Sequence, residues 1–395
     1  MMIRKVKSKK AKDLRLLRCA RNDGRNKRGA ALLVVLFIVM AITILSLGFL
    51  SRSDVELACG ENMILRTQMD YLAEAGLVHA KGLILSPQDV DSEYWTGAVG
   101  QQLNTGSDDY YDVNVVKLGQ CNYQITCDAY REKNGERIGR SSLEGELRLD
   151  PCIAYWAGSA TTISQRITIN GDVYCNGSLV NLGTIRGDAF AANLTGSADG
   201  QLYDKDQLSL NLPGLQVSDF SSQYYIESSS YSVQGIDPNV SNASFEPSED
   251  NPGGVRYHNG DVRLEGNVNI SGMLVVSGDL RITAANNVIS AVKNFPALLV
   301  NGKVIVEDGG TLEVNGLAQI VQKIAIDAGA ENVDIDVVGG LFIINGGIEG
   351  AVSGTVSVDV TAAPAIASIQ IWPAADTAQR WSPAGGAFFR SIERE

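Results

Sequence analysis

Histidine is nearly absent from these 395 residues, with only His79 and His258 present. A Ser-His-Asp arrangement would have to use His258, and no GxSxG context surrounds it. Walker, HExxH and dinucleotide fingerprints are missing too, and Gly183-Thr184-Ile185-Arg186-Gly187 falls within a repeat phase and lacks what a phosphate loop requires. No CxxC pair occurs, so a zinc ribbon or a thioredoxin-like site has no support. Proline (10 residues) and aromatics (7%) are modest while glycine reaches 41, which favours many turns and short strands over a helical bundle. The expectation is a mainly β structural protein and not an enzyme, with no cofactor and no metal.

Charge is unevenly spread. Residues 1–28 carry twelve Lys/Arg against Asp13 and Asp23, a balance of +10 that leaves -22 for the rest of a chain of net charge -12. A basic arm suits nucleic acid, but this one abuts Ala30–Leu50, 21 residues without a charge, and that decides against it. At 1.5 Å per residue the uncharged run makes about 30 Å of helix, one bilayer core. Positive charge before the run and only Arg52 close after it predict a single pass through the cytoplasmic membrane, N-terminus inside and acidic body exported. A secretory signal would have a shorter apolar stretch ending in a small-residue cleavage site.

Beyond the span there is no proline until Pro87, and the composition continues the helix. Val55, Ala58, Asn62, Leu65, Met69, Leu72, Gly76, His79 and Leu83 recur at spacings of three and four as a mostly apolar seam. The basic leader ending Lys27-Arg28-Gly29, the run AALLVVLFIVMAIT and the later Ala73-Glu74-Ala75-Gly76-Leu77 resemble PilX-type minor pilins and the K-type minor pseudopilins of type II secretion. The resemblance covers residues 27–85. It implies cutting between Gly29 and Ala30 by a prepilin peptidase, methylation of Ala30, and other pilin or pseudopilin subunits as partners. Major pilins place a Glu five residues after the cut; Val34 stands there instead, which points to an initiating or capping subunit of a type IV pilus or pseudopilus.

Residues 86–150 read as a small α+β unit in which alternating strands pack on the helix, with Asn134-Gly135 as a hairpin turn and Pro151 as the boundary. Further on, Gly260, Gly266, Gly272 and Gly278 recur every six residues, with apolar third and fifth positions in each hexad: Val262 and Leu264, Val268 and Ile270, Leu274 and Val276, Leu280 and Ile282. The fourth position points outward, as Arg263, Asn269, Val275 and Arg281. An earlier block, Gly171, Gly177 and Gly183, keeps the same phase and puts Cys175 in an inward slot. One glycine-led corner and one short strand per hexad is the pattern of a parallel β-helix, and it resembles the repeats of bactofilin-type domains.

The expected division is a leader at 1–29, a transmembrane and amphipathic helix at 30–85, the small unit at 86–150, a parallel β-helix at 151–365 with an excursion at 197–252, and a C-terminal cap or tail at 366–395. Cys121 and Cys127 lie too far apart on one strand to bridge each other, so a disulfide needs Cys152 or a hairpin partner. Asp327, Glu331, Asp334 and Asp336 form an acidic stretch of the kind polysaccharide-active β-helices cluster, against which stands a solvated acidic face in a body of charge -22. Calcium at these, or at Asp108, Asp109 and Asp112, is an open option. Extracellular polysaccharide or protein is the expected contact of the displayed β-helix.

Overall fold

The computed structural model describes residues 27–85, 94–119, 121–208, 212, 214–226, 229–283, 285–292, 295–350, 355–362, 369–371, 379–381 and 387–394. Most of the basic leader and Trp372 lie outside the described residues. The chain forms two compact units, residues 1–65 and 66–395.

One proline-free helix, α1 (Lys27–Leu85), runs through both. In the first unit its residues 31–64 are exposed along every side. In the second unit Met69, Leu72, Ala73, Leu77, Ala80 and Ile84 are buried, the three- and four-residue spacing of a helix laid on a sheet.

That sheet is antiparallel. β1 (Gly97–Gln101), β2 (Asp109–Gly119), β3 (Asn122–Lys133) and β4 (Glu136–Leu149) pair in chain order. Alternation in β3 buries Tyr123, Ile125, Cys127 and Ala129. Asn134 and Gly135, at φ 56° and 78°, make the two-residue turn between β3 and β4 that the Asn-Gly dipeptide predicts. The fifth strand, Ala387–Arg394, adds to β4 from the far end of the sequence. The segment read as a cap or tail thus contributes a strand of the first sheet, and its apolar Phe389 side lies over Gly145, whose missing side chain leaves it room.

Between those two neighbouring strands, most of the described residues from Ile153 to Thr361 wind into a three-faced parallel β-helix. A coil runs through Arg256–His258 on the first face, Val262–Glu265 on the second and Val268–Ser271 on the third, then returns to the first at Leu274–Val276. Arg256 pairs with Leu274 and Val262 with Leu280, so this coil takes 18 residues, three hexads. The apolar third and fifth hexad positions, from Val262 to Ile282, all point inward and are buried.

Coil order along the axis differs from chain order. The chain joins the solenoid in its middle at Ile153–Ala157 and winds outward through Asp172–Cys175 and Ala189–Phe190 to Leu202–Tyr203. It then crosses to the opposite end, restarts at Gln234–Gly235 and winds inward until Leu341–Ile343 pairs with Tyr155–Ala157 and Ser357–Thr361 with Ile167–Asn170. The arrangement is that of a circularly permuted solenoid. Its middle seam is the point of both arrival and departure.

The crossing segment, residues 204–233, is a strap on the first face. Leu215, Val217, Phe220 and Tyr224 pack with Val275, Leu299, Phe342 and Trp156 in one buried cluster. Val275, expected to face solvent, is covered for this reason. The excursion is also shorter than the 197–252 expected from composition, because Asn239–Ser241 and Ser244–Phe245 already pair as solenoid strands despite their polar sequence.

Candidate functional site

The helix is where sequence and geometry concentrate. The Gly29-Ala30 bond lies in the first turn of α1, directly ahead of the uncharged run. Leu32 to Leu50 expose their large side chains, and α1 is long and apolar enough to cross a membrane. The hydroxyl of Thr43 donates to the Val39 carbonyl at 2.8 Å, so this polar group is satisfied within the helix. Arg52, the first charge beyond the run, pairs with Glu56 one turn on at 2.9 Å.

Along the seam, Val55, Ala58 and Asn62 stay exposed, and cover begins only at Leu65 and Met69. Within Ala73-Glu74-Ala75-Gly76-Leu77, Ala73, Gly76 and Leu77 face the sheet while Glu74 faces away. A β-carbon on Gly76 would lie 2.3 Å from Cys127 Sγ and 2.9 Å from Tyr111, so the motif is a close-approach device. Burial pushes the Cys127 thiol up to about 12, with Asp128 and Asp112 adding to the shift, and this thiol is inert packing.

Polar contacts fix the helix on the sheet. Ser141 Oγ donates to Asp70 at 2.6 Å, and Tyr111 and His79 Nδ1 share a hydrogen bond of 2.9 Å. Arg131 grips both oxygens of Asp109, at 2.6 and 2.8 Å, and reaches Gln68 at 3.2 Å. Asp109 and Asp112, candidate calcium ligands on sequence, are engaged here by arginines: Asp112 lies 3.6 Å from Arg137. Cys121, in the β2–β3 turn, forms a disulfide with Cys152 at the start of the solenoid, with Cα atoms 6.3 Å apart.

In the solenoid, Gly260 and Gly278 occupy the same corner one coil apart, and Gly266 and Gly272 the other two. A β-carbon on Gly278 would meet the Gly260 backbone at 2.6 Å, whereas Gly266 and Gly272 adopt φ of 76° and 136°. Sequence reading passed over the aspartate that follows the corner glycine. Asp261 accepts from the Asp279 backbone N–H and Asp279 from that of Lys303, both at 2.8 Å. In the other block Asp172 accepts from Asp188 at 2.9 Å and Asp188 from Gln201 at 2.7 Å. The recurrent Gly-Asp dipeptide was the available signal. Burial raises the Asp172 carboxyl above its ordinary value, with its backbone hydrogen bonds opposing.

The acidic stretch does not gather into one site. Asp334 aligns with Thr311 and Ser357, while Asp336 stacks between Glu313 and Asp359 on the third face. Burial, then repulsion from Asp359, Glu313 and Asp334, raises the Asp336 carboxyl. The 23-residue spacing of these three acids was the signal for the column. His258 turns Nδ1 to the Ile236 carbonyl at 2.7 Å, and Cys175 is buried, its thiol 3.3 Å from the Ser159 carbonyl.

No protein-family model and no curated protein matches the chain. Among solved structures, the competence-associated pilin ComZ from Thermus thermophilus is similar over 84% of this chain and 98% of its own, at 11% identity and a TM-score of 0.31. That likeness is too slight to carry fold or function across, which leaves the helix and the solenoid as the grounds for a functional reading.

Proposed function

We propose that the chain is a pilin-like structural subunit, anchored by α1, that initiates or caps a type IV pilus or a type II secretion pseudopilus and presents its β-helix outside the membrane. The observation that carries this reading is the single helix Lys27–Leu85, bare and uncharged at one end and packed on an antiparallel sheet at the other. A plain anchor needs about 20 apolar residues and nothing more. Here the helix continues, and between the span and the covered half Leu57 and Ile64, two turns apart on one face, make a further exposed apolar seam. Such a seam suits packing among neighbouring helices of other subunits. Processing would free Ala30, and the twelve basic residues before it would hold the N-terminus inside.

Photo-crosslinking from position 57 in cells that make a prepilin peptidase tests this. Adducts with other pilin or pseudopilin subunits are expected; lipid adducts alone would contradict it. The rival reading, an anchored β-helix that binds or cleaves polysaccharide, draws on one specific feature, a cleft at the solenoid seam, and that feature speaks for binding only.

A further inference from the structure

The permuted order leaves one defect in the solenoid. Where the second block meets the first, ladders continue on two faces, but among the described residues none joins Ile348–Glu349 to Thr161–Ile163 on the second face. Instead a cleft of about 550 Å³ opens between those two edges. It falls within the roughly 300–1,000 Å³ of small-ligand sites.

The walls are mixed: Thr162, Ser178, Asn345 and Glu349 bring polar groups to the cleft beside the apolar Val180, Ile326 and Ile348. Lys323 is hydrogen-bonded to Glu349 and offsets its charge. Tyr155, buried behind the lining, is hydrogen-bonded through its hydroxyl to both the Thr161 side chain and the Ile348 backbone and so ties the two edges together.

Shape narrows the class of ligand. At its inner end the cleft is shut, for a β-carbon on Gly347 would lie 2.1 Å from Thr161 Oγ1. An added peptide strand needs an open path and several rungs, and these edges offer two and three residues. The walls suit a compact, neutral ligand rich in groups that both donate and accept, with Ile348 and Val180 for its C–H face. We propose that the seam cleft binds a neutral saccharide unit. The site extends the reading of the solenoid as a contact surface, and it depends on that reading only for where the ligand is met.

The test uses the full chain purified in detergent, with maltotriose, cellotriose and chitotriose as probes in saturation-transfer NMR. At least one should give transfer, lost in Thr162→Tyr, whose new ring fills the cleft from its exposed side. Asn345→Ala should weaken the same probe about fivefold, the loss of one hydrogen bond. If Thr162→Tyr does not fold, as judged by circular dichroism, Asn345→Ala alone decides. Transfer from none of the three probes, transfer unchanged in the variants, or displacement of the sugar by a strand-forming peptide overturns the proposal. Failure here leaves N-terminal processing and subunit crosslinking unaffected, so the two readings are separately decided.

Discussion

A β-carbon at position 76 would sit 2.3 Å from Cys127 Sγ, with backbone helix on one side and a packed strand on the other, so neither neighbour can give way freely. Gly76→Ala should therefore destabilise the sheet unit by about 1–3 kcal/mol, despite alanine being the better helix former. Adding Cys127→Ala should restore part of that loss in thermal melting; no recovery would mean that the strain lies elsewhere. A second residue-scale expectation concerns Asp336, held between Glu313 and Asp359. Its carboxyl is raised, so the folded state holds the proton more tightly than the unfolded chain, and stability is lost as pH rises through the folded value. Asp336→Asn should be more stable than the parent at pH 7 by roughly 0.2–1 kcal/mol, and the gain should fade at about pH 3, where Asp336, with its raised carboxyl, is protonated. Equal melting differences at both pH values would contradict the repulsion.

Among the elements, α1 and the hexads were legible because their patterns are local: an uncharged run of 21 residues, and apolar pairs at fixed distance from a glycine. The Asn134-Gly135 hairpin was readable for the same reason. The anchors of the strap were not, since Leu215, Phe220 and Tyr224 are scattered among Ser, Asp and Gln and gain meaning only against the outward face they cover. Nor could the disulfide partner be settled, because Cys121 and Cys152 are 31 residues apart and meet only through the β3–β4 hairpin. That bridge ties the β2–β3 turn to the first strand of the solenoid. Replacing both cysteines by serine should cost roughly 3–4 kcal/mol from the entropy of a loop this long, read as a lowered denaturation midpoint. A shift too small to resolve would mean that the antiparallel sheet holds the junction without it.

For the whole molecule, the solenoid is an insertion between two hydrogen-bonded neighbours, β4 and Ala387–Arg394, and it is wound so that its middle, not an end, faces the connection. A hexad says which residues point inward but not which coil stacks on which, so neither the permuted order nor the cleft it creates could be read from the sequence. The same limit explains why the last strand passed for a tail: its partner lies some 240 residues earlier, as in Ser391 against Glu146. The anchor, by contrast, is written almost completely in the first 85 residues. If α1 enters the pilin pathway, the mature N-terminus records it. Mass spectrometry of protein from membranes containing an active prepilin peptidase should find an N-methylated Ala30. A chain that still carries residues 1–29 under those conditions would contradict the claim and leave an anchored β-helix.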